Sequence, residues 1–410
     1  MKKEQLIRIL LTLIVVAATA AFARSSGFYL PAAASLYFAL TLIGVTLICW
    51  RLTRSWRIVF WTLVAGAGVA SELAASKHAL SLVSTLSSLG LGSLLVLAVR
   101  AIWAEGDERA RLKAGFGGAF LLLASEYFGL NLLMWTQNPN AKVLDLYLYS
   151  FDASLHIPVS FLAGQAWQQW GWLNIAGVLF YGGLFIPVAV IYAGLLMRDR
   201  QKALEALASF VLTAPVGVLL YRVFPALGPS YLFLNRFPWH PLAFSEASRL
   251  FVEPIRLEGL RNAMPSLHMT WALLTFWWSR TLSWWDRLLG ALFVIFTIVA
   301  TLGTGEHYLI DLVVACPFAL TIYYFCSFSL SWKDHRRVRA CLYGLLATLG
   351  WLTALRYETR VFWISPVIPW IACILTIGLV GFFYMSAGAT RTTPSTHANS
   401  AMESESLLIS

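Results

Sequence analysis

Two short segments of this chain hold residues that could do chemistry together. Pro265-Ser266-Leu267-His268 runs into an apolar stretch, with Pro and Ser where the start of a helix calls for them. The backbone N–H groups left free at such a start, together with the positive end of the helix dipole, attract an anion such as phosphate. His268 falls on the first turn and would face whatever binds there. The second segment, Thr301 to Asp311, is a Gly-rich turn feeding another apolar stretch. His307 and Asp311 are four apart and share a helix face, so the carboxylate can accept the proton of one imidazole nitrogen and leave the other as a nucleophile. That is the orienting logic of a catalytic triad. A polar pair sealing a helix end has the same spacing, so the second segment gains its weight from the first.

Composition says what must position them. Of the 410 residues, 59% are hydrophobic and 12% charged, against about 45–50% and about 25% in an ordinary soluble domain. This excludes a soluble globular protein and a disordered one. The five cysteines, Cys49, Cys316, Cys326, Cys341 and Cys373, lie in apolar runs without CxxC spacing, which argues against a disulfide framework or a metal site. No cofactor is expected. The net charge of +10 is scattered in short clusters rather than gathered into a stripe, so a nucleic-acid partner is not expected either.

A bilayer takes about 20 apolar residues per helical crossing. By that measure the chain is an all-α, polytopic integral membrane protein of about twelve transmembrane helices, near 6–23, 31–50, 57–71, 79–99, 114–136, 173–197, 203–222, 266–280, 286–303, 307–328, 339–355 and 362–385. Lys and Arg provide an independent check. With the N-terminus inside, the inside segments hold twenty of the thirty, the outside segments nine, and Arg222 sits at a span end. This bias predicts both termini in the cytoplasm, with a bacterial inner membrane as the expected location. The eighth and tenth spans then both begin on the extracytoplasmic face, which puts His268 and His307 at one membrane level. Lys2-Lys3, an apolar run and Ala21-Phe22-Ala23 also fit a secretory signal with its cleavage site, a reading that leaves the later spans in the same orientation. The tail from about 386 is rich in Ser, Thr and Ala and reads as disordered.

With both segments in view, the sequence resembles the lipid-phosphatase superfamily of type 2 phosphatidic acid phosphatases, and within it the inositol phosphorylceramide synthase-like branch. The Pro-Ser-x-His motif stands as Pro265-Ser266-Leu267-His268 and the His-Tyr-x-x-Asp motif as His307-Tyr308-Leu309-Ile310-Asp311. The branch is also similar in Phe224-Pro225-Ala226-Leu227-Gly228-Pro229-Ser230-Tyr231 and in the stretch from Asp145 to Asp152. The resemblance covers roughly 114–328, a six-helix catalytic core, with four spans before it in 1–104, two after it in 339–385, and the tail 386–410. It implies that His307 attacks phosphorus to form a phosphohistidine, that Asp311 orients His307, and that His268 protonates the leaving oxygen, without a metal. An alcohol or water would then release the phosphoryl group. The superfamily's Lys-x6-Arg-Pro motif is absent, and Thr301 stands where an Arg is expected six residues before the second histidine. Arg222 and Arg261 are the candidates to replace the phosphate clamp, beside Ser266, although Arg222 also fits an interfacial residue and Arg261 a surface charge.

Other features have plainer readings. The 18 Trp fall largely near span ends, as an interfacial belt requires. Glu72, Glu126 and Glu205 lie near or within apolar segments and could suggest ion coupling, while His156 and His240 read as surface residues of outside loops. Asp145 and Asp152, seven apart, share one face if helical, and read as part of an interfacial helix containing Leu146, Leu148 and Phe151. The expected function is a membrane-embedded phosphotransferase or phosphatase acting on a lipid-linked phosphate at the outer leaflet, with a polar alcohol or water as acceptor and membrane lipids around it. Head-group transfer of the inositolphosphotransferase kind is favoured, and hydrolysis of a lipid phosphate or diphosphate shares its first half-reaction. A multispanning transporter is the alternative from another class. Against it stand the absence of an internal repeat and the position of both histidines at span ends.

Overall fold

The computed structural model describes residues 32–53, 61–66, 68, 82–134, 136–137 and 141–388. The span expected over 6–23, most of that over 57–71, and the tail beyond 388 lie outside the described residues. Among the described residues the secondary structure is helical, apart from one isolated antiparallel bridge between Val143 and Ile255. The helices used below are α1 (Ala32–Thr53), α2 (Leu82–Trp103), α3 (Gly106–Met134), α4 (Asp145–Ser154), α5 (Val159–Gln169), α6 (Gly171–Gly182) and α7 (Phe185–Leu196). There follow α8 (Arg200–Val223), α9 (Leu267–Ser279), α10 (Trp284–Gly303), α11 (Leu309–Phe325), α12 (His335–Tyr357) and α13 (Val367–Gly388).

Five of these, α3, α8, α10, α12 and α13, are long and apolar enough to cross a membrane; there are six if α6 and α7, bent by 53° at their break, form one span. Phe38–Thr53, Leu89–Trp103 and Leu309–Phe325 are shorter apolar helices. The chain is therefore a membrane protein, but the expected count of twelve is not reached among the described residues. The physical reason lies partly in α9. Its 13 residues span about 20 Å at about 1.5 Å per residue, against a hydrocarbon core of about 30 Å. A helix of that length leaves one of its ends within the thickness of the bilayer.

Where these helices begin is set by side chains that take up the first free N–H groups. Asp199 caps α8 through the Lys202 N–H at 3.1 Å. Ser266 caps α9 through Met269 at 3.3 Å. Ser283 and Asp286 cap α10 reciprocally, and Asp334 caps α12 through Arg336 at 2.9 Å. Asp286 has a second partner: Arg51, from the end of α1, donates to both its oxygens at 2.8 and 2.9 Å and to the Val190 carbonyl at 3.1 Å. A bidentate pair of this kind ties α1 to α10 and α7 at one point.

The centre of the bundle is α11, most of whose residues are buried. It packs against α8, α9, α12, α13 and α4. Gly344 of α12 allows the closest of these approaches, since a Cβ there would lie 2.5 Å from the Pro317 carbonyl. The far end of α11 is sealed by Arg337 of α12, which is buried. Its guanidinium donates to the carbonyls of Tyr324 at 2.9 Å, Phe325 at 2.8 Å and Leu330, and lies 3.8 Å from the centre of the Trp332 ring. Glu205 of α8 accepts from the Ser329 N–H in the same region through Oε1, while its Oε2 is buried without a partner.

Each buried acceptor left without a donor costs about 1–3 kcal/mol. Arg337→Met keeps the apolar stem and removes the donors from three carbonyls, so it should destabilise the protein by several kcal/mol, about 3 or more. Thermal unfolding of the purified protein in detergent would measure it, and an unfolding temperature equal to that of the wild type would contradict the assignment.

Candidate active site

The site is assembled from turns, and one of them serves as its base. Residues 224–231 run from the end of α8 across the starts of the other elements. The Pro225 carbonyl accepts from Leu144 N–H at 2.7 Å, and the Ala226 carbonyl accepts from Ala263 N–H at 3.1 Å. Ser230 donates to the Gly305 carbonyl from its N–H at 3.0 Å and from its hydroxyl at 2.9 Å. Two glycines make that approach possible. Gly228, with φ of 125°, faces the Gly305 and Glu306 carbonyls so closely that a Cβ would sit about 2.5 Å from them, and Gly305 itself has φ of 73°. Only a residue without a side chain tolerates both demands.

His307 stands on this base, fully buried, in the turn that leads into α11. Its Nδ1 lies 2.9 Å from the Ala263 carbonyl, which can only accept, so Nδ1 carries the proton and donates it there. The Nε2 lone pair then accepts from the Ser266 hydroxyl at 3.2 Å. Ser266 is free to donate because its oxygen is already accepting from Met269 N–H. Asp311 contributes from a second direction, with Oδ2 at 3.4 Å from Nδ1 and at 2.8 Å from the Tyr308 N–H that it accepts. The expected pairing of His307 with Asp311 is thus present, but the Ala263 carbonyl is the nearer acceptor. No sequence pattern marks Ala263, because any residue supplies a carbonyl.

His268 lies on the first turn of α9, half-buried, with its ring stacked on Tyr181 at 3.9 Å between centroids. Tyr181 belongs to the last turn of α6, where the α6–α7 span breaks. The helix beneath is pinned to α8 by Trp271, whose indole N–H donates to the Phe210 carbonyl at 2.9 Å, and by Trp278, which donates to Ser209 at 3.0 Å.

Two expectations are corrected. Arg261 is buried and not a surface charge; its guanidinium donates to the carbonyls of Thr136 and Ala141, both at 2.8 Å. Those acceptors compete with any phosphate role, because buried carbonyls need their donors. Arg222 is exposed at the end of α8. Asp145 and Asp152 do not face water; both are buried. Asp145 accepts from Leu227 N–H at 3.1 Å, from Gly228 N–H at 2.8 Å and from the Tyr308 hydroxyl at 3.3 Å. Asp152 accepts from Leu309 N–H at 2.7 Å and from Ile310 N–H at 3.2 Å. Their seven-residue spacing was legible as a shared face, but burial turns that face toward the site. His156 and His240 are exposed, as expected of loop residues.

These carboxylates decide which helix start can take an anion. The first N–H groups of α11 already meet Asp152, whereas α9 is capped by the neutral Ser266. The start of α9 thus carries no carboxylate cap, and it lies beside His307 through the Ser266 hydroxyl.

Residues 146–325, from α4 to the end of α11, match the family model described as the PAP2 superfamily. No curated protein and no solved structure matches the chain. The match makes this stretch similar to that superfamily.

Burial pushes the Asp145 carboxyl up from 3.8 to about 6, against the pull of the Gly228 and Leu227 N–H groups and the Tyr308 hydroxyl. The folded protein then holds this proton more tightly than the unfolded chain, so the contribution to stability is full below the unfolded value and is lost as pH rises toward about 6. Asp145→Asn removes the titration. Unfolding temperatures of wild type and variant, compared across that window, should shift in favour of the variant as pH rises; a difference independent of pH would contradict the assignment.

Proposed function

We propose that the protein is a phosphotransferase or phosphatase of lipid-linked phosphate that works through a phosphohistidine at His307. The observation that carries this reading is the lone pair of His307 Nε2, held by the Ala263 carbonyl on Nδ1 and directed at Ser266, the cap of the helix whose first turn bears His268. In the first step Nε2 attacks phosphorus, the N–P bond forms, and the bond from phosphorus to the leaving oxygen breaks as His268 donates a proton to that oxygen. The positive charge that develops on the imidazole is shared through Nδ1–H with the Ala263 carbonyl and the Asp311 carboxylate. In the second step His268, now neutral, takes the proton of an alcohol or water whose oxygen attacks phosphorus, and the P–N bond breaks.

The Ser266 hydroxyl and the start of α9 face the phosphate oxygens in this scheme. Arg222 is the remaining candidate for a cationic contact, since Arg261 holds Thr136 and Ala141 and Thr301 stands where the superfamily has an Arg. Transfer to a polar alcohol, as the inositolphosphotransferase-like branch would do, is favoured over hydrolysis by the complete burial of His307, because a dry site protects the phosphohistidine from water until an acceptor is seated. The Lys and Arg bias supports an extracytoplasmic site with both termini inside.

Trapping tests the assignment. Wild-type protein is incubated with labelled phosphatidic acid or labelled phosphatidylinositol, with and without inositol, and assayed for acid-labile label. The expected result is label in the wild type and in His268→Ala, none in His307→Ala, and turnover abolished in both variants. Label that persists in His307→Ala, or turnover equal to wild type in either variant, would sink the reading. Release of free phosphate, rather than phosphoinositol transfer, would assign hydrolysis.

A further inference from the structure

The two C-terminal helices lie beyond the stretch that matches the superfamily, yet they grip the one short helix that reaches back into the site. Trp363, in the turn between α12 and α13, donates its indole N–H to the Ser150 hydroxyl at 3.0 Å, and Trp370 of α13 donates to the Leu155 carbonyl at 3.1 Å. Between these two bonds the Phe151 ring is met edge-on by Phe362 at 4.7 Å and by Trp351 at 5.5 Å. All four contacts fall on α4 or its end. The same helix carries Asp152 toward α11.

Asp152 does more there than a cap requires. Asp311 already serves the start of α11 from within, by accepting from Tyr308 N–H, and a cap of that kind is local. Asp152 comes from 157 residues away in sequence and takes the next two N–H groups, Leu309 and Ile310, one on each oxygen, with the Ser160 hydroxyl at 3.4 Å as a further donor. A buried carboxylate held only by N–H and O–H donors is costly, and an apolar contact between α4 and α11 would have joined them without that cost. What the two directed bonds add is a fixed register between α4 and the first turn of α11. That turn carries Asp311, and it follows directly on His307, whose distances to Ala263 and Ser266 depend on where α11 begins.

We propose that Asp152 is a positioning residue for His307, and that residues 335–388 serve the site by fixing the helix on which Asp152 stands. The proposal rests on His307 being the nucleophile. It assigns the additional C-terminal helices a part in the chemistry without bringing any of their atoms to the phosphate.

The test uses the full chain in lipid nanodiscs and compares wild type, Asp152→Asn, the double variant Trp363→Phe with Trp370→Phe, and His307→Ala. Two readouts are taken on protein shown to be folded by its unfolding transition: the single-turnover rate of histidine labelling at saturating labelled lipid with the lipid concentration that half-saturates it, and hydrogen exchange of a peptide covering 303–312. Displacement of a reacting group by about 1 Å costs on the order of 100-fold in rate. Asp152→Asn should slow labelling by about that factor, with half-saturation unchanged and faster exchange in the peptide. The Trp double variant, which leaves the carboxylate and the local cap in place, should shift both readouts in the same direction by less.

Wild-type labelling rate and exchange in Asp152→Asn would overturn the role of Asp152. A normal Trp double variant beside a slow Asp152→Asn would overturn the role of the C-terminal helices. A rate that falls only in proportion to folded protein would reduce both to structure alone and overturn the proposal. Should Asp152→Asn fail to fold, the Trp variant decides by the same two readouts. Label retained in His307→Ala, or none in wild type, would instead refute the nucleophile assignment, and the exchange data would still show whether Asp152 fixes the turn.

Discussion

The start of α11 is where this molecule resolves its hardest electrostatic problem. Asp145, Asp152 and Asp311 are all buried around it, and no Lys or Arg is paired with any of them among the described salt bridges. Buried charges without a counter-ion are tolerated only where directed donors replace water. Here the donors are backbone N–H groups of Leu227, Gly228, Tyr308, Leu309 and Ile310. Each comes from a turn or a helix start, the places where N–H groups lack an internal partner. The open backbone ends are thus taken up by the acids, although Asp311 Oδ1 itself finds no partner. The position of His307 follows, because it is enclosed by the segments these bonds join.

This arrangement divides the labour between two helix starts. That of α11 is saturated by protein carboxylates and cannot accept an external anion. That of α9 keeps a neutral cap and stands next to an imidazole lone pair. Had Ser266 been an Asp, the helix would have been capped as well or better, but a phosphate approaching His307 would have met a like charge. The neutral cap is therefore a choice that structure alone does not demand, and it is consistent with an anion arriving there. The same reasoning explains why Arg261 need not supply the site with charge. Its guanidinium ties the segment before α9 to Thr136 and Ala141, and so places the Ala263 carbonyl that receives the proton of His307.

How far the sequence could be read depended on whether a feature was local. His268, Ser266, His307 and Asp311 were legible because each pair sits within one helical turn, and helical geometry fixes what such a pair can do. The helices themselves followed from apolar length, with boundaries a few residues off. What could not be read is long-range. Asp152 and Leu309, or Arg261 and Ala141, are brought together by the fold, and nothing in the local pattern of either partner names the other. Asp145 and Asp152 were assigned to a surface because an isolated amphipathic helix of ten residues has one polar face, and polar faces ordinarily meet water. The count of spans is less legible, because a rule of apolar length takes every stretch as a crossing and does not see that α9 is too short to cross alone. Nor does it see the 53° bend between α6 and α7.

That bend lies beside the site. Tyr181 sits on the last turn before the break, and its ring lies flat on His268. Gly183 follows at the break, where its N–H donates to the Leu179 carbonyl and a Cβ would come within 2.4 Å of that oxygen. The first half of the span therefore ends with an aromatic ring against His268, while the N–H donors around the start of α11 fix the segments that enclose His307. Each imidazole is held by an element whose regularity is given up near the point of contact.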